Sequence, residues 1–319
     1  MTKLIIKSAI LVILIAVLLT LLSPFFIPKW VEGQVSNGNS YMTTTTDGFF
    51  ALEENSLDII FIGSSQILRG IDPCLLYDEF GIKSYLRATV VQPPQVSYYY
   101  LKNALKTQSP ETVVADFSAL YTEYDFDERE AYVRYAFDTM PLDLDKTVAL
   151  ADIINKSKEQ RILDYIFPTV FYHDRWNEIT EFDKFYPFSK DKSDPNRGSI
   201  LLDGCIPQEY TPYDGNAEEG EAYCENSLYW YQKMIDLCKE KGIRLIMLRT
   251  PRNDWNENRY ISDKALADNN GVEFIDFNLT SYYNKAKLNA GEDFYDRNHL
   301  TREGARKMTR VIGEYLTNS

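Results

Sequence analysis

Leu57-Asp58-Ile59-Ile60-Phe61-Ile62 is a near-continuous apolar run that stops at Gly63-Ser64-Ser65-Gln66. Such a run, without polar alternation, is the pattern of a strand covered on both faces of a parallel sheet, and the glycine after it marks a turn. Three more runs resemble it: T-V-V-A-D-F at 112–117, R-L-I-M-L at 244–248 and E-F-I-D-F at 273–277. Each follows an amphipathic stretch, at 96–106, 221–241 and 261–269 respectively. A weaker strand at 84–88 falls between a first helix at 73–80 and the helix that follows it. Strand and helix in alternation predict an α/β fold with a parallel sheet of about five strands. The chain closes with a helix that Thr301 caps and Glu303 favours in its first turn, with Ala305, Met308, Ile312, Tyr315 and Leu316 on the stripe facing the sheet.

The chain has 319 residues, enough for one large domain or two smaller ones with a real core. With 45% hydrophobic and 14% aromatic residues, and only 15 Gly and 13 Pro, a disordered or collagen-like chain is excluded. A net charge of −13 repels phosphate backbones and anionic headgroups, so no nucleic-acid partner is expected. Cys74, Cys205, Cys224 and Cys238 form no C-x-x-C pair and only two histidines are present, so neither a metal site nor a metal cofactor is expected.

At the amino terminus, residues 9–22 carry no charged or strongly polar side chain apart from Thr20, and the apolar stretch continues past Pro24. From 4 to 27 the length suits the roughly 20 residues of a membrane helix, with Lys7 reaching back to the near interface. Pro24 is expected to bend or end that helix. Lys3 and Lys7 precede the run, which places a short tail in the cytoplasm and the rest of the chain outside. The run is longer than the apolar segment of a usual signal peptide and no A-x-A-like site follows it, so residues 1–29 read as an uncleaved single-pass anchor in the cell membrane. A buried core helix would show a polar face, and none appears. Residues 30–55 hold Gly33, Gly38, a Thr43-to-Thr46 run and Gly48, and read as an extracytoplasmic linker to a domain over 56–319.

Within that domain the strand rhythm stops between 121 and 220, where the chain becomes charged and aromatic. This insertion of roughly 100 residues is too long for an ordinary loop and is expected to be partly helical. Most of its aromatics are expected in a core, with a minority left as a platform for sugar rings or a partner enzyme.

In an open parallel sheet, ligands bind past the carboxyl ends of the strands, so polar residues there are the candidates for chemistry. Gly63-Ser64-Ser65-Gln66 presents a serine at the start of a helix, and Asp296-Arg297-Asn298-His299 stands directly before the last one. Serine alone is a poor nucleophile. A histidine three residues after an aspartate can take its orientation from that carboxylate and offer its other ring nitrogen to the serine as general base.

Together, at the first strand end and before the last helix of an α/β chain, these motifs resemble the SGNH (GDSL-like) hydrolase superfamily, in which a serine after the first strand pairs with a late D-x-x-H. The resemblance covers 57–316 apart from the insertion, and it implies that family's flavodoxin-like three-layer sandwich. It implies Ser65 as nucleophile, two residues after the glycine, with His299 as base and Asp296 as its orienting carboxylate. The family's G-D-S is G-S-S here. With I-D-P at 71–73, an amino-terminal anchor and a terminal D-x-x-H-L-x-x-x-G-A, the chain looks like the DltD-type and related exopolysaccharide acylation partners. In those systems a membrane-bound O-acyltransferase brings an acyl group across the bilayer and the SGNH protein acts on the outer face.

A second departure concerns the oxyanion site, where the family's glycine after the second strand and asparagine after the third are replaced by A-T-V-V-Q at 88–92 and D-F-S at 116–118. The Ser65 backbone N–H stays a donor; Ser64, Thr89 and Gln92 are further candidates, and Arg69 is near enough to meet an anionic acceptor. The resemblance thus implies a cofactor-free transferase moving an acetyl or D-alanyl group onto a polysaccharide or teichoic acid through a serine ester, with a membrane-bound O-acyltransferase as partner. An esterase with the same triad and a non-catalytic partner subunit are the other readings. His173, among Phe171, Tyr172 and Trp176, is expected as a packed or surface residue. Cys74 and Cys238 are expected as buried thiols, whereas the sequence leaves open whether Cys205 and Cys224 join in an oxidising compartment, since nothing fixes their geometry.

Overall fold

A computed structural model describes residues 2–29 and 42–318, so residues 30–41 of the expected linker lie outside the described residues. In chain order the elements are α1 (Thr2–Phe26), α2 (Met42–Phe50), β1 (Ile59–Gly63), α3 (Ser65–Gly70), α4 (Pro73–Phe80), β2 (Ser84–Ala88), α5 (Pro94–Ala104) and β3 (Thr112–Asp116). The insertion contributes α6 (Glu130–Phe137), α7 (Leu144–Ile154), α8 (Ile162–Ile166), α9 (Pro168–Tyr172) and α10 (Glu181–Phe185). Then follow α11 (Glu225–Lys241), β4 (Arg244–Arg249), α12 (Glu257–Asn270), β5 (Glu273–Asp276), α13 (Thr280–Lys285) and α14 (Arg302–Thr317). The five strands are all parallel in the order β2-β1-β3-β4-β5, the α/β sheet that the apolar runs predict.

Alternation along β1 divides the interior, because successive strand side chains leave opposite faces of the sheet. Ile59 and Phe61 pack with Leu68, Leu76, Met308 and Ile312 of α3, α4 and α14. Ile60 and Ile62 pack on the other side with Leu101 of α5 and Tyr231, Met234 and Ile235 of α11. A third cluster joins Val96, Tyr99 and Tyr100 of α5 and Trp230 of α11 to Val133, Phe137, Leu150, Ile153 and Tyr165. The insertion is therefore a further layer on α5 and α11, with much of its aromatic content in a core.

Its last part returns to the main body. Arg197 O accepts the Leu86 N–H at 3.0 Å and the Ile200 N–H bonds Leu68 O at 2.9 Å, which covers the edge strand β2. Gly198 has φ +86°, and a Cβ there would lie 2.3 Å from Leu86 O, so the close approach requires glycine.

Two expectations are corrected. Part of the expected linker is the helix α2, in which Thr45, Thr46 and Phe49 are buried, and the fold begins there. Tyr85 Oη donates to Thr45 O at 2.8 Å and the Arg87 guanidinium lies 4.8 Å from the Phe49 ring. A threonine-rich segment of weak helix propensity is held helical by the burial of the aromatics that end it. Cys205 and Cys224, whose pairing the sequence leaves open, are free thiols; Cys205 is exposed and its thiol donates to Gly291 O at 3.3 Å. Cys238 is buried as expected, whereas Cys74 is only partly so.

α1 is 25 residues long and apolar enough to cross a membrane by length and composition. Pro24 sits within its last turn, and the helix ends at Phe26, where Lys29 Nζ donates to Pro24 O at 2.7 Å and to Ile27 O at 3.2 Å.

Candidate active site

β1 ends at Gly63, where a Cβ would stand 2.7 Å from both Asp116 Cβ and Ile67 Cγ1. Glycine lets the carboxyl ends of β1 and β3 approach while the chain turns into α3. Ser64 caps that helix: its hydroxyl accepts the Gln66 N–H at 3.3 Å and donates to Asp116 Oδ2 at 2.7 Å. Ser64 is thereby engaged beneath the turn, and the next residue carries the accessible hydroxyl. Ser65 Oγ lies 2.9 Å from His299 Nε2.

The other side of the imidazole meets a carboxylate. His299 Nδ1 is 3.0 Å from Asp296 Oδ1 and 2.9 Å from Oδ2, and the Asn298 and His299 backbone N–H groups donate to Oδ1 at 2.7 and 2.9 Å. Burial alone would raise the Asp296 pKa, but the bonds from the His299 ring and the two N–H groups hold it at about 2. The folded value lies below the ordinary 3.8, so this carboxylate's support of the loop is complete above about pH 4 and fades as pH falls through about 2.

The loop carrying Asp296 and His299 is held by two residues that sequence reasoning did not single out. Gln66 Nε2 donates to Asn298 O at 3.0 Å, and the Thr250 hydroxyl donates to Gln66 Oε1. The Asn253 N–H donates to Arg297 O at 3.0 Å, tying the same loop to the segment after β4. Both signals were present: Gln66 adjoins Ser65, and Thr250 is the first residue past β4, where the strand-end rule points.

Beneath the turn, Asp116 accepts from Ser64 and also from the Ser118 N–H and hydroxyl at 2.7 and 2.8 Å. Arg249 donates to Asp263 Oδ2 through Nε and Nη2 at 2.8 and 2.7 Å, and its Nη1 lies 3.6 Å from Asp116. These buried partners fix the ends of β3 and β4. An ionised carboxylate only accepts, so Asp116 cannot donate to an oxyanion as an asparagine would.

Thr89 and Gln92 are not brought to the serine. The Thr89 N–H donates to Gly63 O at 3.3 Å, its hydroxyl to Gln92 Oε1 at 2.9 Å, and Gln92 Nε2 to Ser97 Oγ at 2.9 Å. Both side chains are buried and satisfy each other, as buried polar groups must. A small recess beside the serine is lined instead by Ser65, Gln66, Arg69, Gly70, Thr250, His299 and Leu300. Arg69 is thus placed in the recess, and its Nε has no hydrogen-bond partner. Burial pushes its pKa down from the usual arginine value, while the Asp296 charge and Tyr295 act in the opposite sense. Among the described residues no carboxylate lies within ion-pair distance of it. His173 is a surface residue, its Nδ1 2.9 Å from Val170 O.

No family model matches the chain, and no curated protein matches it. Among solved structures it is similar to a GDSL-like lipase from Bacteroides thetaiotaomicron VPI-5482, with a TM-score of 0.39 and 12% identity over 87% of this chain and 97% of the other. It is also similar to a protein described as an acylhydrolase from Bacteroides fragilis NCTC 9343, with a TM-score of 0.38 and 11% identity over 90% and 99% of the two chains. At that distance, the chemistry of this chain is read from its own residues.

Proposed function

We propose that the protein is a serine-dependent acyl-transfer enzyme of SGNH type, with Ser65 as nucleophile, His299 as general base and Asp296 as orienting carboxylate. The observation that carries this reading is the continuous contact from Asp296 through both imidazole nitrogens to Ser65 Oγ. His299 Nε2 takes the hydroxyl proton as Ser65 Oγ bonds to the carbonyl carbon of a donor ester. The tetrahedral oxyanion is met by the Ser65 backbone N–H. The carbon–oxygen bond to the donor alcohol breaks, His299 returns the proton to that alcohol, and an ester on Ser65 remains. An acceptor hydroxyl then gives its proton to His299 and attacks the ester carbon; the bond to Ser65 Oγ breaks and His299 returns the proton to it.

The finer reading is an O-acyltransferase of the DltD-like branch that delivers an acetyl or D-alanyl group to a cell-envelope polysaccharide or teichoic acid outside the membrane, supplied by a membrane-bound O-acyltransferase. Two features support it. The recess is small, which suits a short acyl group, and Arg69 with its free Nε suits an acceptor carrying a phosphate or carboxylate. With water as acceptor the same site is an esterase. The test uses the full chain in detergent with p-nitrophenyl acetate, with and without anionic and neutral glycans. Transfer predicts acetylated glycan in preference to free acetate, with the preference for anionic glycan lost in Arg69→Gln; acetate release unaffected by any glycan would favour the esterase.

A further inference from the structure

Five large aromatic side chains stand exposed in one short stretch: Phe171 at 40%, Trp176 at 72%, Phe182 at 41%, Phe185 at 68% and Phe188 at 74%. A folded surface does not ordinarily leave so many together in water. The stretch runs from α9 through a 3₁₀ turn at His173–Asn177 and α10 to a second turn at Tyr186–Phe188. It surrounds the carboxyl end of α1. Thr169 donates from its hydroxyl to Leu19 O at 3.2 Å and from its N–H to Ser23 Oγ at 3.4 Å. Arg175 Nη1 donates to Phe26 O, the Phe25 and Phe188 rings are 5.8 Å apart, and buried Lys29 pairs with buried Asp183 at 3.1 Å.

These contacts fix a depth. A helix rises 1.5 Å per residue, so Leu19 lies about 10 Å below Phe26 along α1. If α1 spans a bilayer from its first turns to its last, Leu19 is inside the apolar layer, and Thr169 beside it is at the same level. The exposed aromatics then fall at the height where tryptophan and other aromatic rings collect at membrane interfaces.

We propose that residues 168–188 form a foot seated in the extracytoplasmic interface of the bilayer around the exit of α1, with Trp176, Phe185 and Phe188 among the lipid. This rests on the reading of α1 as a membrane anchor. The foot carries exposed Asp174, Glu178 and Glu181 against exposed Lys184, so its hold on the membrane comes from apolar burial and not from attraction to anionic headgroups. Because the insertion packs on α5 and α11, a seated foot also sets the height of the Ser65 site above the membrane.

The experiment uses the full chain in phosphatidylcholine nanodiscs. The chain has 4 tryptophans, so the difference between wild type and Trp176→Phe isolates the Trp176 signal. That signal is expected to lose most of its intensity when the lipid is brominated near the acyl carbonyls and to resist acrylamide. Phe185→Ser with Phe188→Ser is expected to weaken the bromolipid quenching while the protein stays in the membrane through an alkaline carbonate wash. A Trp176 signal quenched by acrylamide and indifferent to bromolipid, in protein that survives the wash, overturns the foot and leaves this face to a partner protein. Release of the chain by carbonate overturns the anchor reading itself, and the foot with it.

Discussion

At the carboxyl edge of the sheet, Ser65 and His299 are 234 residues apart in sequence, yet both sit within a few residues of regular elements that share one core. At the carboxyl end of α1, Ser23 and Thr169 are 146 residues apart, and the elements that join them there are five-residue helices and turns with their aromatic rings outside. The first region is positioned by backbone: a parallel sheet delivers polar residues to one edge, and a short network of Gln66, Thr250 and Asp116 trims their geometry. The second is positioned by α1, and its aromatic rings stay largely exposed although Phe188 packs against Phe25 and Phe171 against Tyr172. A catalytic group needs a rigid frame on all sides, whereas the surface proposed to meet lipid would need only to be held at the right height.

The largest effect should come from the first region. Ser65→Ala and His299→Ala should each lower turnover of p-nitrophenyl acetate on the order of 10⁴-fold, with the thermal transition unchanged. Ser64→Ala should instead retain substantial turnover; if it equalled Ser65→Ala, the division between cap and nucleophile would be broken. Next in size, Gly198→Ala should lower stability by about 2 kcal/mol in denaturant unfolding, since a Cβ has no room against Leu86 O. A neutral result there would mean that the returning end of the insertion is only loosely laid on β2. The base must be unprotonated, so turnover should fall on acidification. A rate that does not fall in acid would exclude His299 as base. Smallest, Thr301→Ala should cost about 1 kcal/mol through loss of the cap bond to the Gly304 N–H, measured by the same unfolding.

The strands were legible because apolar runs of Ile, Val, Leu and Phe bounded by polar turns have few other fates; β2 falls on the predicted residues, and the other strands within two. Ser65, Asp296 and His299 were legible because each adjoins an element end whose position the pattern already determined. Thr89 and Gln92 were misplaced by the same rule, because adjacency to a strand end does not say which way a side chain turns when a polar partner waits three residues on. α2 was unreadable for a different reason: T-T-T-T-D-G has the composition of a linker, and only the burial of Phe49 against Tyr85 and Arg87 makes it part of the fold. The return of residues 197–200 onto β2 depends on backbone contacts that carry no periodicity at all.

The proposed mechanism places the acyl group on Ser65. The direct measurement is mass spectrometry of the intact and digested full chain after rapid acid quench of its reaction with p-nitrophenyl acetate. An acetyl adduct on the peptide containing Ser65, absent in Ser65→Ala and His299→Ala, is the predicted result. Turnover that persists in Ser65→Ala, or an adduct that maps elsewhere and survives in both variants, would contradict it.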